Sequence, residues 1–291
     1  MRLSTCSVPL TEACQPEASE AMNVERPALS AMACALAAAL MAIDAHAQTP
    51  RDCDGRSVGS AAVARVIDGR SFVLADGRDV RLAAVETVLP VPGDEDEARV
   101  AAALAAKAAL ETLLRDHEID VSVTGAGADR YGRLTAYVFV RTPFGEVLVQ
   151  RELVAAGHAL VSPVAASPCR RFLQAAEREA RARGSGLWGA PYSAVKQAAD
   201  PADILADQGR FGLVQGKVAS VRESAGVVYI NFGQRWSNQF TATLLKRNEG
   251  AFAAVSPKAL AGHTVEVRGW IEERGGPVVE VTRPEQIEII Y

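Results

Sequence analysis

The fold of this chain is decided by VIDGRSFVL at residues 66–74 and VRLAAVET at 80–87, together with DRYGRLTAYV at 129–138. In the first stretch, β-branched and aromatic residues are interrupted by the tight-turn pair Asp68-Gly69. The same texture extends from residue 58 to residue 85 and predicts a meander of three strands. In the last stretch, apolar and polar residues alternate, which predicts another strand. The chain is therefore expected to contain a β-rich domain built on these stretches.

Helical patterns follow the predicted meander. Residues 95–115 are rich in alanine and carry an apolar face, and their acidic start complements the helix dipole. Residues 149–156 and 168–183 predict two further helices, which end at Gly157 and Gly184. Strands with one inserted helix and two trailing helices match a small oligonucleotide-binding (OB) barrel with added helices.

The quoted stretches resemble the staphylococcal nuclease (thermonuclease) family, and the resemblance extends from about residue 62 to residue 188. It implies an α+β fold that is mainly β, with a staphylococcal nuclease-like OB barrel and helices. In that family the stretches form a calcium-dependent phosphodiesterase site. Two Asp carboxylates and a Thr carbonyl hold the ion, a Glu is the general base, and two Arg residues clamp the phosphate.

Part of that site is kept in this sequence. Arg81 and Arg133 stand at the positions of the phosphate clamp, and Thr87 stands at that of the metal-binding Thr. Glu86 replaces one Asp with a longer carboxylate, and Tyr131 lies in the same motif as Arg133. The resemblance implies catalytic roles for Arg81, Arg133 and Glu86. It implies binding roles for Thr87 and Tyr131.

Two substitutions change the chemistry of the site. Arg70 stands where the family has a metal-binding Asp, and Leu89 stands where it has the general base. Calcium prefers several oxygen ligands, often with more than one carboxylate, so we expect no metal site unless the family activity is retained with Ca2+ at Glu86. Arg70 is expected to pair with Glu86 and to help bind an anionic phosphate.

Two alternatives remain open for these residues. Arg70 could be a solvated turn residue, as an arginine after Asp-Gly often is. The acids at residues 94–97 could restore catalysis, although a helix N-terminus explains them without any chemistry.

The first 47 residues are typical of a targeting segment. An apolar, alanine-rich run at 28–43 ends in Ala45-His46-Ala47, which fits the h-region and cleavage site of a signal peptide. Acidic residues before Met22 predict that translation starts there. We expect export to the periplasm or outside of a bacterial cell, and no membrane span in the mature chain because the run is too short. An uncleaved membrane anchor is the alternative.

Cysteine usage agrees with export. Removal of residues 1–47 leaves Cys53 and Cys169 as an even pair in an oxidising compartment. A disulfide between them would close a long loop and contribute up to about 4 to 5 kcal/mol in the chain-entropy model. Two free thiols are the alternative. With no CxxC pattern and no clustered His, the sequence argues against a zinc site.

The length of the chain favours two domains. We predict a nuclease-like domain at residues 58–190, a linker rich in proline and small residues at 191–209, and a smaller OB-like β-barrel at 210–291. The last of these shows five strand patterns with a helical pattern at 248–255. Four of its aromatic residues are candidates either for base stacking or for core packing: Tyr229, Phe232, Trp236 and Phe240.

The net charge of -4 argues against a strongly cationic, sequence-indifferent nucleic-acid binder. Our leading hypothesis is an exported thermonuclease-family protein that binds nucleic acid or another phosphate-bearing ligand, with metal-dependent cleavage impaired or lost. One alternative is an active phosphodiesterase (endonuclease) with a rearranged site. Another is an envelope module that binds a protein partner and in which the arginine clamp is vestigial.

Overall fold

The computed structural model describes residues 53–89, 93–164, 167–233, 238–252 and 256–290. All of them belong to one compact unit, His46–Tyr291. The predicted signal peptide at residues 1–47 lies outside the described residues. Within the described ranges, no helix combines the length and apolar character needed to cross a membrane.

The first sheet has seven strands in the order β1-β6-β7-β4-β3-β2, with β8 paired to β7. Its strands are β1 (Arg56–Ala61), β2 (Val63–Asp68), β3 (Ser71–Leu74), β4 (Asp79–Leu82), β6 (Ile119–Ala128), β7 (Leu134–Thr142) and β8 (Gly145–Leu148). The two end strands, β1 and β2, are separated only by Ala62, so one continuous chain joins both edges and closes the sheet as a barrel. The predicted meander corresponds to β2, β3 and β4, with β1 as an additional strand.

Three helices accompany this sheet: α1 (Glu97–Leu114), α2 (Val149–Ala155) and α3 (Ser167–Arg183). They agree with the predicted helices to within two residues at each end. Asp96 caps α1 by accepting a hydrogen bond from the Arg99 amide at 3.0 Å. The predicted disulfide joins Cys53 to Cys169 at the start of α3, and both cysteines are fully buried in the core.

The second sheet has eight strands in the order β10-β11-β15-β16-β14-β13-β12, with β17 paired to β15. They are β10 (Val195–Gln197), β11 (Phe211–Lys217), β12 (Ser220–Ser224), β13 (Val227–Asn231), β14 (Thr241–Leu245), β15 (Thr264–Glu273), β16 (Pro277–Glu280) and β17 (Ile287–Ile290). The described residues are thus mixed α+β. The chain runs from β11 directly into β12, so the second sheet also closes as a barrel, called the second barrel below. The final strand, β17, is absent from the sequence prediction.

The segment at 191–209, predicted as a linker, is regular structure. It contains β10, which pairs in parallel with β11, and a short helix α4 (Pro201–Leu205). Ile204 is fully buried in the core of the second sheet. Ala194 and Ala198 are buried as well, so part of this segment is packed, although its composition is typical of a linker.

The structure of the second sheet differs from the sequence prediction at two further places. The helical pattern at 248–255 is a 3-10 turn over Lys246–Phe252, and residues 253–255 lie outside the described part. Phe240 is fully buried and packs against Phe232, with ring centroids 4.9 Å apart. Phe240 therefore belongs to the core and cannot stack a base, while Trp236 is not among the described residues.

The two sheets are joined by an apolar cluster and by buried ion pairs. The cluster consists of Val88, Ala103, Leu160, Leu187, Ala194 and Leu213. Arg268 of β15 lies 3.0 Å from Glu177 of α3, and both residues are buried. Arg99 of α1 pairs with Asp207 at 3.0 Å in the same way. These contacts fix the second barrel beside the short strand pair β5 (Val85–Glu86) and β9 (Leu160–Val161).

Candidate functional site

The turn between β2 and β3 fixes the backbone of Arg70. The Asp68 carboxylate accepts a hydrogen bond from the Arg70 amide at 2.9 Å, and the Arg70 carbonyl accepts one from Leu82 at 2.8 Å. A side chain at Gly69 would approach the Ala106 Cβ of α1 to 2.6 Å, so only glycine allows the turn to pack against this helix. Arg70 is therefore held between the sheet and α1.

A second tight turn brings Glu86 back toward Arg81. It contains Ala84, whose φ of 66° lies in the left-handed region that few non-glycine residues adopt. The Ala84 carbonyl accepts a hydrogen bond from the Ser162 amide, and the Ala83 amide donates to Ala136, both at 2.8 Å. These neighbouring segments hold the turn in a conformation that costs energy, as is common near functional sites.

Glu86 is enclosed by two arginines. One carboxylate oxygen forms an ion pair with Nη1 of Arg70. Nη2 of Arg81 donates to both oxygens, at 2.9 and 3.2 Å. The side chain of Arg70 is only 6% exposed and that of Glu86 9%, whereas that of Arg81 is 24% exposed. The interpretation of Arg70 as a solvated turn residue is therefore wrong, since its guanidinium is buried against a carboxylate.

Arg133 lies in the loop between β6 and β7 and pairs with a different carboxylate. Its Nε and Nη2 bond the Asp129 carboxylate at 2.8 and 2.7 Å. Tyr131 is 66% exposed, and the guanidinium groups of Arg130 and Arg133 lie 4.9 and 5.1 Å from its ring centroid. The sequence interpretation gave no role to Asp129, and it named Asp68 only as part of a tight turn. The signal available for Asp129 was its position four residues before an arginine in a glycine turn.

The arginines influence one another electrostatically. Burial lowers the pKa of Arg70 to about 10, and the charges of Arg81 and Arg133 act in the same direction, against the opposite effect of Asp68. Burial and Arg133 also lower the pKa of Arg81, while Asp129 and Asp68 oppose that effect. Both arginines stay protonated at neutral pH. The two positive charges repel each other, so an anion bound between them would be stabilised because it offsets that repulsion.

The residues present do not fit a calcium ion. Across the described ranges, no group of three or more His, Cys, Asp or Glu side chains could hold a metal. Arg70 engages Glu86, and Leu89 supplies no ligand at all. Thr87 is buried, and its Oγ1 finds no hydrogen-bond partner in the described part of the chain. A hard cation that needs six to eight oxygens has no such set here.

The acids at the start of α1 have structural partners. Asp94 pairs with Arg99 and with Arg210, at 2.8 and 2.7 Å, and its side chain is only 4% exposed. Asp96 caps the helix and pairs with Arg99 at 3.0 Å. These two carboxylates are therefore already used in capping α1 and in joining it to the second barrel.

Comparison with protein families gives one finding. Residues 79–190 match the family model described as staphylococcal nuclease homologue. The matched range includes Arg81, Glu86, Thr87 and Arg133, and Arg70 lies just before it. Comparison with curated proteins gives no match.

Proposed function

Since residues 79–190 form a domain of the staphylococcal nuclease homologue family, we propose that this protein binds nucleic acid or another phosphate-bearing ligand without metal-dependent cleavage. The observation that carries the proposal is the buried ion pair of Arg70 with Glu86. This pair places a guanidinium next to the one carboxylate that the family's metal site would need here. The protein would then be a binding member of a nuclease family.

The chemistry of hydrolysis supports the loss of cleavage. Attack by water on a phosphodiester needs a base for the proton and a cation to balance charge on phosphorus. Leu89 cannot accept a proton, and Arg70 and Arg81 already occupy the oxygens of Glu86. No step of hydrolysis is therefore assigned to these residues.

The chemistry of binding supports retention of the phosphate clamp. Among the contacts of the described residues, Arg81 uses only Nη2 to bond Glu86. A guanidinium has five N–H donors in a fixed fork, so Arg81 keeps donors for a phosphate. Arg133 adds positive charge nearby, as its effect on the pKa of Arg81 indicates. The proposed ligand is thus anionic.

Export is part of the proposal. The Cys53–Cys169 disulfide supports it, because structural disulfides persist in oxidising compartments. We expect the mature protein to begin near Gln48. Intact mass measurement of protein from the envelope fraction tests this, and retention of residues 22–47 or two free thiols would contradict it.

The binding test uses calorimetry with a nucleoside 3′,5′-bisphosphate, in chelator and in calcium. We expect equal affinity in both conditions, and an Arg81→Ala variant should bind more weakly by about 1.5 to 3 kcal/mol, the range for hydrogen bonds to charged groups. Arg78→Ala is the matched control, because Arg78 lies in the exposed turn before β4 and pairs only locally with Asp76. Calcium-dependent DNA hydrolysis that Glu86→Gln abolishes would replace this proposal with the active phosphodiesterase.

A further inference from the structure

A groove of about 520 Å³ runs from the arginine site to the second barrel. Arg81 and Glu86 line its first-barrel side, and Phe211, Trp270 and Arg283 line the opposite side. Its volume lies in the range of pockets that bind small ligands. A ligand held at Arg81 would therefore also meet the second barrel, which lies outside the matched family domain.

The strand β15 turns Trp270 toward this groove. Side chains alternate along a strand, so Glu266, Arg268 and Trp270 share one face. The first two contact the nuclease-like domain, since Arg268 donates to the Val161 carbonyl at 3.0 Å and Glu266 pairs with Arg181 at 2.8 Å. Trp270 is the next residue on that face, and it is 44% exposed.

The ring of Trp270 is held in place. Phe211 of β11 is its register partner and packs against it edge to face, with centroids 6.1 Å apart and an interplanar angle of 75°. An edge-to-face contact leaves a face of the indole available for another flat ring. A positioned, half-exposed indole beside an anion site is the arrangement on which nucleic-acid bases stack.

The charges of the groove are compatible with a phosphate chain. Glu272 and Glu280 line it, but both pair with Arg274, at 2.5 and 3.4 Å. Arg283 is exposed, and its guanidinium makes no ion pair with any described residue. Arg81 and Arg283 therefore offer two cationic points, one on each side of Trp270's groove.

We propose that this groove binds single-stranded nucleic acid, with one base stacked on Trp270 and the adjoining phosphates at Arg81 and Arg283. The proposal rests on the anion site of the proposed function and extends it to a ligand class. Duplex nucleic acid does not satisfy it, because paired bases are already stacked on their neighbours and are not free to stack on a side chain.

The experiment measures fluorescence anisotropy with three probes: a labelled oligothymidylate, an abasic strand of equal length and charge, and a duplex of the same length. The intact protein should prefer the thymidylate to both others. Trp270→Ala should weaken thymidylate binding about 10- to 100-fold, from the usual strength of stacking on an aromatic side chain, and should abolish the preference over the abasic strand. Trp270→Phe should keep most of the preference for thymidylate over the abasic strand.

Two further variants test the phosphate contact and provide a control at a distant exposed aromatic residue. Arg283→Ala should reduce the slope of log affinity against log salt by about 0.7, the value for one lost phosphate contact on a single strand. Phe144→Ala is the matched control, because Phe144 is 96% exposed in the turn between β7 and β8, and it should change nothing.

The outcomes separate this inference from the proposed function. If thymidylate and abasic strand bind equally and only Arg81→Ala weakens them, the anion site stands and base stacking in the groove is overturned. Base stacking is also overturned if Trp270→Ala binds thymidylate like the intact protein, or if the duplex binds most tightly. If neither the bisphosphate nor any strand binds, both proposals are overturned.

Discussion

At the scale of single residues, the ion pair of Arg70 and Glu86 buries two charges, and each charge depends on the other for compensation. Both side chains are more than nine-tenths buried, and each compensates the charge of the other. Removing one member of a buried pair leaves an uncompensated charge, which usually destabilises a protein more than the intact pair stabilises it. The pair therefore makes a prediction about stability that is independent of ligand binding.

Glu86→Gln should lower the free energy of unfolding by about 3 kcal/mol, because the buried charge of Arg70 loses its counter-charge. The double variant Arg70→Met with Glu86→Gln should regain most of that loss. Glu111→Gln is a matched control on the exposed face of α1 and should change stability by less than about 0.5 kcal/mol. Urea denaturation followed by circular dichroism measures all of these values. Equal stability of Glu86→Gln and the intact protein would contradict the buried-pair interpretation.

The acidic residues that the family has at positions 70 and 89 can also be restored by substitution. Arg70→Asp with Leu89→Glu should place three carboxylates, including Glu86, around the turn, while Arg81 and Arg133 remain as the clamp. We expect weak calcium binding and modest calcium-dependent cleavage of single-stranded DNA. The extra methylene of Glu86 limits the rate, because a displacement of about 1 Å can cost about a hundredfold. Calorimetry with calcium and a gel assay for cleavage test it, and a variant that binds no calcium would contradict it.

Sequence reasoning identified the residues of the site but did not give the partner of Arg133. Arg70, Arg81 and Glu86 come together, and their positions follow from the motif. Arg133, expected in the phosphate clamp with Arg81, is bonded to the Asp129 carboxylate. The loop turns at Gly132, whose φ is 81°, and Asp129 also accepts from the Arg133 amide at 3.1 Å. A motif gives the residue, whereas the choice between two carboxylates depends on how the loop closes.

At the scale of elements, α2 connects the barrel to the site through Gln150. This side chain is fully buried, accepts from the Val138 amide at 3.2 Å and donates to the Ala136 carbonyl at 2.9 Å. It also reaches the Ala83 carbonyl at 3.4 Å, in the turn that carries Glu86 back to Arg81. One helix residue thus satisfies backbone groups of β7 and of the site's turn.

Gln150→Leu should lower the free energy of unfolding by about 1 to 3 kcal/mol, because the Val138 amide loses its side-chain acceptor, whereas the Ala136 carbonyl still accepts from the Ala83 amide. The bisphosphate affinity should fall as well, because the turn at Ala83 loses a contact. Gln150→Glu is a second variant, since it keeps the acceptor for Val138 and loses the donor. Thermal unfolding and calorimetry measure both effects, and full stability of Gln150→Leu would contradict the assigned role.

The sequence predicted the long helices but missed two short strands, and the difference has a physical reason. The helices α1 and α3 have 18 and 17 residues, α1 begins at the Asp96 cap, and α2 and α3 end close before Gly157 and Gly184, so their signals are local. The strands β10 and β17 have three and four residues and owe their structure to pairing with β11 and β15. Such short strands form because of their tertiary contacts, and the composition of the segment alone does not predict them.

At the scale of the whole molecule, the groove exists only because the two barrels are docked. Burial raises the pKa of Glu177, and the facing Arg268 works against that effect. Arg268 also donates to Val161, the residue of β9 that pairs with Val85 beside Glu86. The buried pair therefore connects the second barrel to the strand that carries the site.

Arg268→Ala should lower the free energy of unfolding by about 3 to 5 kcal/mol at neutral pH, as expected when a buried pair is broken. A raised folded-state pKa means that the contribution of Glu177 is most favourable below its unfolded pKa and is lost as pH rises through the folded pKa. Loss of Arg268 removes the charge that opposes this rise, so Glu177 of the variant is protonated more readily at low pH. The variant's deficit in free energy of unfolding should therefore be smaller near pH 4 than at pH 8. Urea titrations across this pH range measure it.

The same variant separates the two binding proposals. Displacement of β15 should move Trp270, so the preference for thymidylate over the abasic strand should fall, while bisphosphate binding at Arg81 persists. Glu177→Leu with Arg268→Met is the matched control, because apolar residues of similar volume often replace a buried pair without loss. This control should restore the base preference and part of the stability, because the Val161 amide and carbonyl lose their partners Glu177 and Arg268. A single Arg268→Ala variant that keeps full base preference would show that the groove does not depend on this pair for its shape.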